Sequence, residues 1–153
     1  MIDTKRLVSH LELQPHPEGG FYKKTYEDQH HQFSSIIFLL TPGNFSAFHR
    51  LLSEEQWNFY SGNDLVIHEI EKNGDYRRTV LSSDPMNGDR QYVVKRGNWF
   101  ASESEGNKGY SFCGCTVIPA FKFEDFVLAK RNELILQFPQ HESVIRKLTR
   151  MQE

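Results

Sequence analysis

The sequence predicts an all-β domain, a double-sheet jelly roll, with one short helix before the strands and two helices after them. Apolar and polar residues alternate in about nine short segments, and a Gly or Pro stands at most of the corners between them. Aromatic residues are abundant, with 12 Phe, 6 Tyr and 2 Trp among 153 residues. Many short strands separated by turn residues are typical of sandwiches and barrels, and the length suits a single domain over residues 1–153.

The N-terminal part is predicted to form a helix and then a turn. Asp3 or Thr4 can cap the helix, whose apolar residues follow an i, i+1, i+4 pattern. Those apolar residues are Leu7, Val8 and Leu11. Pro15 and Pro17 end the helix, and Glu18-Gly19-Gly20 then forms a turn, because Gly-Gly adopts backbone conformations that other residues avoid.

The strands follow in order along the chain. Their predicted ranges are residues 21–27, 35–41, two segments within 43–62, 65–71, 76–81, 91–95, 98–103 and 110–118. Pro42-Gly43 stops the second strand, and Lys72-Asn73-Gly74-Asp75 is a hairpin turn between two later strands. Residues 129–138 and 140–149 carry helical apolar stripes separated by Pro139. We expect these two helices to pack on the outside of the sheets.

The composition excludes several classes of function. With 18 basic and 20 acidic side chains the net charge is −2, which leaves no basic face for nucleic acid. No apolar run reaches the ~18 residues of a membrane span, and the first residues lack the apolar core of a signal peptide. Cys113 and Cys115 are two residues apart on one strand, which makes a poor disulfide and at most half of a zinc site. We expect a reduced cytoplasmic protein that binds neither nucleic acid nor membranes.

Residues 43–62 place one imidazole and one carboxylate on neighbouring strands joined by a short polar turn. Side chains alternate between the faces of a strand, so His49 and Leu51 share one face, and Glu55, Trp57 and Phe59 share one face of the next strand. If both faces point inward, they enclose an aromatic-walled pocket that suits a small polar ligand. We predict His49 and Glu55 as a catalytic pair in which the carboxylate orients the imidazole and favours its protonation. The alternative is that both side chains only make structural hydrogen bonds.

Other residues are candidates for ligand binding. The aromatic residues predicted to wall the pocket, unless they are plain core, are Phe38, Trp57, Phe59, Trp99 and Phe100. Tyr22 and Arg50 are candidates for holding an anionic or hydroxyl-rich ligand. Strand alternation points Arg50 away from His49, towards solvent or a partner subunit. His16 and Glu18 stand beside Gly19-Gly20, and we interpret them as part of a turn scaffold.

The spacing within residues 43–62 resembles the first motif of the cupin superfamily. Gly43, His49, Glu55 and Gly62 stand at the intervals of that motif, but Leu51 replaces its second histidine. Residues 95–100 resemble a degraded second motif, in which Phe100 occupies the position of the metal-binding histidine.

The resemblance narrows to the family of domain-of-unknown-function 985, also called cupin-5. Its signatures are Pro15-His16-Pro17-Glu18-Gly19-Gly20-Phe21-Tyr22, His49-Arg50, Trp57-x-Phe59-Tyr60-x-Gly62, Gly97-x-Trp99, Gly114-Cys115-Thr116-Val117 and Phe121-x-Phe123-Glu124-Asp125-Phe126. The resemblance implies the double-stranded β-helix of the cupin jelly roll.

Cupins commonly hold a metal, but the residues of this chain argue against one. Catalytic zinc or iron sites normally need three protein ligands. Of the four ligand positions of the cupin motifs, only His49 and Glu55 keep a ligating side chain. His68 and Cys115 are alternatives that strand alternation does not favour. We therefore predict a site with no metal and no other cofactor.

Two classes of function remain for the predicted pocket. Metal-free cupins similar to this chain include sugar-nucleotide epimerases with a histidine base, which implies an isomerase, epimerase or lyase for a small sugar-like or other hydroxylated substrate. The alternative is a ligand-binding or sensing protein without turnover. The resemblance also implies a homodimer formed through the sheets, and residues 20–28 have the length and β-character to pair across subunits.

Overall fold

Within residues 3–151, the part of the chain that the computed structural model describes, eleven strands form two antiparallel sheets. The strands are β1 (Gln14–Pro15), β2 (Phe21–Glu27), β3 (Ser34–Leu40), β4 (Phe45–Arg50), β5 (Glu54–Gly62), β6 (Leu65–Ile70), β7 (Tyr76–Leu81), β8 (Gln91–Val94), β9 (Trp99–Ser104), β10 (Ser111–Ile118) and β11 (Val127–Leu128). The six-stranded sheet has the order β1-β2-β3-β10-β5-β8, and the five-stranded sheet has the order β11-β4-β9-β6-β7. The predicted jelly roll is confirmed: every predicted strand forms, and β1 and β11 are short additions.

The inward faces of the two sheets enclose the main core. Alternate residues of the central strands point into it, as the period of two along a strand requires. Its most deeply buried members include Phe38, Leu40, Trp57, Leu65, Ile67 and Cys113.

Three rows of inward side chains cross the six-stranded sheet from β3 through β10 to β5. From the end of the sandwich inward, the rows are Ser34–Val117–Glu55, Ile36–Cys115–Trp57 and Phe38–Cys113–Phe59. The two deeper rows carry aromatic side chains that fill the interior. The outermost row has none, and together with Ile36 it borders a cavity.

The first helix, α1 (Thr4–His10), begins after Asp3, whose carboxylate accepts a hydrogen bond from the N–H of Lys5. This contact confirms the predicted cap. No helix within residues 3–151 has the length and apolar character needed to cross a membrane.

The helices α2 (Arg131–Gln137) and α3 (Glu142–Lys147) pack on the outer face of the five-stranded sheet. They cover a second core formed by Phe48, Ile70, Ala101, Ala129, Leu134, Phe138, Ile145 and Leu148. Both helices are shorter than predicted, because a 3₁₀ turn at Pro139–His141 separates them. A residue before proline is pushed away from helical dihedrals, and Phe138 accordingly has φ −132° and ψ 66°.

The edge strand β2 is predicted to pair between two copies of the chain. β2 pairs with β3 on one side, but on its other side β1 reaches only Phe21 and Tyr22. The edge beyond them carries the exposed Tyr26, which packs on Phe33 with 5.3 Å between ring centroids. Because open edges pair readily, we expect light scattering after gel filtration to give twice the 17.9 kDa chain mass.

A variant pair tests where the predicted dimer forms. Tyr26→Lys places a charge on the edge and should lower the measured mass, whereas Met86→Lys, in an exposed loop, should not. A monomer of the unmodified chain at micromolar concentration would contradict the prediction.

Candidate functional site

A cavity of about 220 Å³ lies at the end of the sandwich that the row Ser34–Val117–Glu55 borders. Four titratable side chains form a cluster in its lining: His16, Glu18, His49 and Glu55. Strands β2, β3, β4, β5 and β10 contribute to the walls, together with the turn before β2 and the segment after β10. The cavity therefore collects side chains from the N-terminal turn, from both sheets and from the segment after β10.

Glu18 and His49 form a buried ion pair. Oε2 of Glu18 lies 2.8 Å from Nε2 of His49, and the two side chains are 9% and 2% exposed. Burial opposes charge on both groups, but the charge of each partner and their hydrogen bond outweigh it. The pKa of His49 is consequently raised and the pKa of Glu18 is lowered. Both shifts favour the same charge state, a protonated imidazole beside an ionised carboxyl group.

Both ring nitrogens of His49 are occupied. Nδ1 donates a hydrogen bond to the carbonyl oxygen of Ala47 at 2.7 Å, and because a carbonyl only accepts, this nitrogen carries a hydrogen. Nε2 faces the carboxylate of Glu18. His49 is thus the counter-ion of Glu18, and neither of its nitrogens is free to bind a ligand.

His16 is a second imidazole beside this pair. The backbone N–H of Glu18 donates to Nδ1 of His16 at 3.2 Å, so Nδ1 acts as an acceptor. Burial lowers the pKa of His16, although the charge of Glu18 opposes this effect. The neutral ring then carries its hydrogen on Nε2, which has no hydrogen-bond partner within the described residues 3–151.

Among the described residues, Glu55 is the carboxyl group of this cluster with no ion-pair partner of its own, and only the Cys115 thiol hydrogen-bonds its side chain. The residue is 7% exposed, and within residues 3–151 its Oε2 has no hydrogen-bond partner. Burial and the charge of Glu18 raise the pKa of Glu55 to about 7, although His49 opposes the shift. Glu55 therefore exchanges its proton near neutral pH, unlike Glu18.

The turn from His16 to Gly20 holds Glu18 above the interior. Gly19 has φ +114°, and a Cβ on it would lie 2.0 Å from the carbonyl oxygen of Phe45, so only glycine fits. The N–H of Ala47 donates to the carbonyl oxygen of Glu18 at 2.8 Å, and Nη1 of Arg150 donates to the same oxygen at 2.7 Å. These contacts fix the backbone of the turn against β4 and the C-terminal segment.

Most of the remaining lining residues are apolar. The segment after β10 contributes three aromatic rings, and the N–H of Phe121 anchors it by donating to Oγ of Ser34 at 2.9 Å. The ring centroids of Phe121 and Phe126 lie 6.1 Å apart, and Phe126 lies 5.4 Å from the ring of His49. The apolar lining residues are Ile36, Leu51, Val117, Phe121, Phe123 and Phe126.

Three of the predicted site residues, His49, Glu55 and Tyr22, line this cavity. Leu51 lines it as well, as the shared face of the two strands predicted. Four predicted wall residues instead lie in the core and are at most 3% exposed: Phe38, Trp57, Phe59 and Phe100. Strand alternation gives the face of a side chain but not its depth, and these four lie deeper than the cavity. Phe100 packs directly behind His49, with 4.1 Å between ring centroids.

Arg50 and Trp99, the remaining predicted binding residues, lie outside the barrel. The guanidinium carbon of Arg50 stands 4.8 Å from the ring centroid of Trp99, and both residues line a surface groove beside α2. Arg50 follows His49 on β4 and therefore points to the opposite face. Neither residue lines the cavity that contains His49.

His16 and Glu18 belong to the cluster although the sequence interpretation treated them as a turn scaffold. A signal was present, because two titratable side chains flank Pro17 in a turn, where short polar residues are more usual. Their partner His49 is far away along the chain, and no local pattern indicates that contact. Glu18 rather than Glu55 hydrogen-bonds the imidazole, although the charge of Glu55 also raises the pKa of His49.

The side chains do not fit a bound metal ion. Leu51 and Phe100 occupy two of the motif positions, and the remaining histidine, His49, uses both nitrogens. Burial raises the pKa of the Cys115 thiol well above its ordinary range, which disfavours the thiolate that metals require. His68 bonds Tyr76 and Glu103 on the far side of the five-stranded sheet. Residues 3–151 contain no group of three or more His, Cys, Asp or Glu side chains arranged for a metal.

A double-sheet jelly roll with a cavity at one end, lined by side chains at cupin-motif positions, defines this chain as a member of the cupin superfamily. More narrowly, it belongs to the family described as cupin superfamily (DUF985), whose sequence profile matches residues 5–129. Among curated proteins, none matches this chain.

Solved structures of similar proteins agree with this assignment. Protein SO0799 from Shewanella oneidensis is 37% identical with a TM-score of 0.92, and the match covers 99% of this chain and 100% of that one. A hypothetical protein from Leishmania major is 31% identical with a TM-score of 0.91, covering 97% and 99% of the two chains. A cupin 2 domain-containing protein from Halorhodospira halophila, 10% identical with a TM-score of 0.65 over 92% and 89%, shares the fold alone.

Glu55→Gln should change how stability depends on pH. The folded protein raises the pKa of Glu55 from 4.5 to about 7. It therefore binds this proton more tightly than the unfolded chain does, and its free energy of unfolding falls as pH rises through that interval. The loss is about 3 kcal/mol, and Gln, which does not titrate, avoids it.

Thermal unfolding from pH 4 to pH 8 measures this effect. The Tm of Glu55→Gln minus the Tm of the unmodified protein should increase by on the order of 5–10 °C from pH 4 to pH 8. Glu133→Gln makes the same change on an exposed face of α2 and should show no such gain. A Tm difference for Glu55→Gln that stays constant with pH would contradict the raised pKa.

Proposed function

We propose that this protein is a metal-independent enzyme that transfers protons on a small substrate with a hydroxyl or carbonyl group, as isomerases, epimerases and lyases do. One observation carries the proposal. Two carboxyl groups line one cavity, and Glu18 is paired with His49 at 2.8 Å, whereas Oε2 of Glu55 has no partner within residues 3–151. Environments that separate the pKa values of two acids are typical of an acid and a base in catalysis.

The two carboxyl groups suit complementary roles. Glu18 stays ionised beside the protonated His49 and acts as the base, while Glu55, whose pKa is about 7, acts as the acid. Glu18 takes a proton from the carbon next to a carbonyl, Glu55 gives its proton to the carbonyl oxygen, and an enediol forms from a hydroxycarbonyl substrate. Glu18 then returns its proton to the former carbonyl carbon while the Glu55 carboxylate takes the proton of the other hydroxyl group, which gives the isomer with both groups restored. If Glu55 instead protonates a departing hydroxyl group, water leaves and the reaction is that of a lyase.

The structure argues for a different base from the one expected from sequence. His49 was the expected base, but both of its nitrogens are hydrogen-bonded. It supports the negative charge of Glu18 instead. The cavity volume of about 220 Å³ is also below the range of roughly 300–1,000 Å³ typical of ligand pockets, which favours a small substrate over a sugar nucleotide.

Deuterium exchange tests the proposed proton transfer. The protein is incubated in D₂O with a panel of small hydroxy-ketones and hydroxy-aldehydes, and proton NMR follows deuterium entering the carbon beside each carbonyl. We expect exchange with at least one compound, and we expect Glu18→Gln and Glu55→Gln each to slow it by about 100-fold or more. The Glu133→Gln variant should catalyse deuterium exchange at the same rate as the unmodified protein. Exchange that survives both cavity substitutions, or an absence of exchange throughout the panel, would contradict the proposal.

Ligand binding without turnover is the second candidate function. The two hydrogen bonds of His49 favour it, because neither of its nitrogens can then exchange a proton with a substrate. In that case Glu18→Gln and Glu55→Gln would weaken ligand affinity, and no compound would exchange deuterium.

A further inference from the structure

We propose that the natural ligand of the cavity is an uncharged molecule with an apolar, ring-sized body and a single oxygen-bearing end, rather than a sugar or an anion. This inference rests on the proposed function, since it concerns the same cavity, and it narrows the class of substrate. It follows from the apolar walls, from the small number of uncommitted polar groups and from the pairing of the cations.

The apolar walls disfavour a ligand that is polar all round. Six apolar side chains line the cavity: Ile36, Leu51, Val117, Phe121, Phe123 and Phe126. Phe121 lies 4.9 Å from Phe123 and 6.1 Å from Phe126, measured between ring centroids, so these rings form one aromatic side. A sugar presents hydroxyl groups around its whole ring, and each one buried against such a wall costs about 1–3 kcal/mol. An apolar ring gains free energy on the same surface.

The uncommitted polar groups lie close together, because Tyr22, which also lines the cavity, has its ring centroid 4.7 Å from that of His16. Oε2 of Glu55 and Nε2 of His16 have no hydrogen-bond partners within residues 3–151, and both side chains couple to Glu18. Ser34 lies elsewhere on the wall, and its hydroxyl already accepts from the N–H of Phe121. A ligand with one oxygen-bearing end can satisfy Glu55 and His16 while its body contacts the apolar wall.

Each of the two cations of the cavity lies beside a carboxylate and Glu55 is a third acidic side chain in the lining, which disfavours an anionic ligand. Nζ of Lys24 lies 3.9 Å from Oε1 of Glu27, and His49 lies 2.8 Å from Glu18. Within residues 3–151 no other Lys or Arg lines the cavity. An anion would therefore approach carboxylates without an uncommitted cation to bind.

Methyl NMR with three probes tests the inference. Cyclohexanone has an apolar ring and one oxygen, cyclohexanecarboxylate adds a charge to the same ring, and ribose is polar all round. Each is titrated into protein labelled at the methyl groups of Ile, Leu and Val, so that Ile36, Leu51 and Val117 report from the cavity. We expect cyclohexanone to shift these methyls with a dissociation constant at least about tenfold lower than that of either other probe.

Two neighbouring substitutions provide the matched control. Ile36→Phe fills part of the cavity and should weaken cyclohexanone binding, whereas Ile37→Phe adds the same bulk on the outer face of β3 and should not. Equal or tighter binding of ribose or cyclohexanecarboxylate would overturn the ligand class. It would not decide the proposed proton transfer, which the deuterium exchange experiment tests separately. If none of the three probes shifts the cavity methyls, the ligand class is refuted, and a positive deuterium test would still support the proposed function.

Discussion

The contact between Glu18 and His49 is the interaction on which the rest of the site depends. It joins the turn between β1 and β2 to the interior face of β4. Neither charge is stable alone in this buried position, and removing one partner would leave an uncompensated charge at a cost of about 3–5 kcal/mol. The turn can supply Glu18 only because Gly19 passes against Phe45 and because Arg150 holds the carbonyl oxygen of Glu18. The N-terminal turn, β4 and the C-terminal segment are thus coupled through one carboxylate.

This ion pair also determines the properties of Glu55. The negative charge of Glu18 adds to burial in raising the pKa of Glu55, so two chemically identical groups in one cavity hold their protons differently at neutral pH. The two residues that stand at ligand positions of the cupin motifs, Leu51 and Phe100, also shape the surroundings of His49. Leu51 lines the cavity as an apolar wall, and Phe100 packs 4.1 Å behind the ring of His49. The imidazole of His49 is thus held between a carboxylate and an aromatic ring.

Much of the fold was predictable, because it follows from short-range patterns. The period of two along strands predicted the sheets, and it placed His49, Leu51 and Glu55 on one interior side. It could not give depth, so Trp57 and Phe59 were expected in the pocket wall although their rows fill the core. Nor could it indicate the contact of Glu18 with His49, which arises only when a turn folds across the end of the sandwich. Long-range contacts of this kind leave no periodic signal in a sequence.

Nitrogen-15 NMR of the His49 side chain at pH 7 tests the central claim most directly. If Glu18 holds the imidazole as its cation, both ring nitrogens of His49 should show the chemical shifts of protonated nitrogens. In Glu18→Gln the pKa of His49 should fall, because its burial is no longer offset by a negative partner, and Nε2 should lose its proton while Nδ1 stays bonded to Ala47. An unprotonated Nε2 in the unmodified protein at pH 7, or a His49 signal that does not respond to Glu18→Gln, would contradict the account.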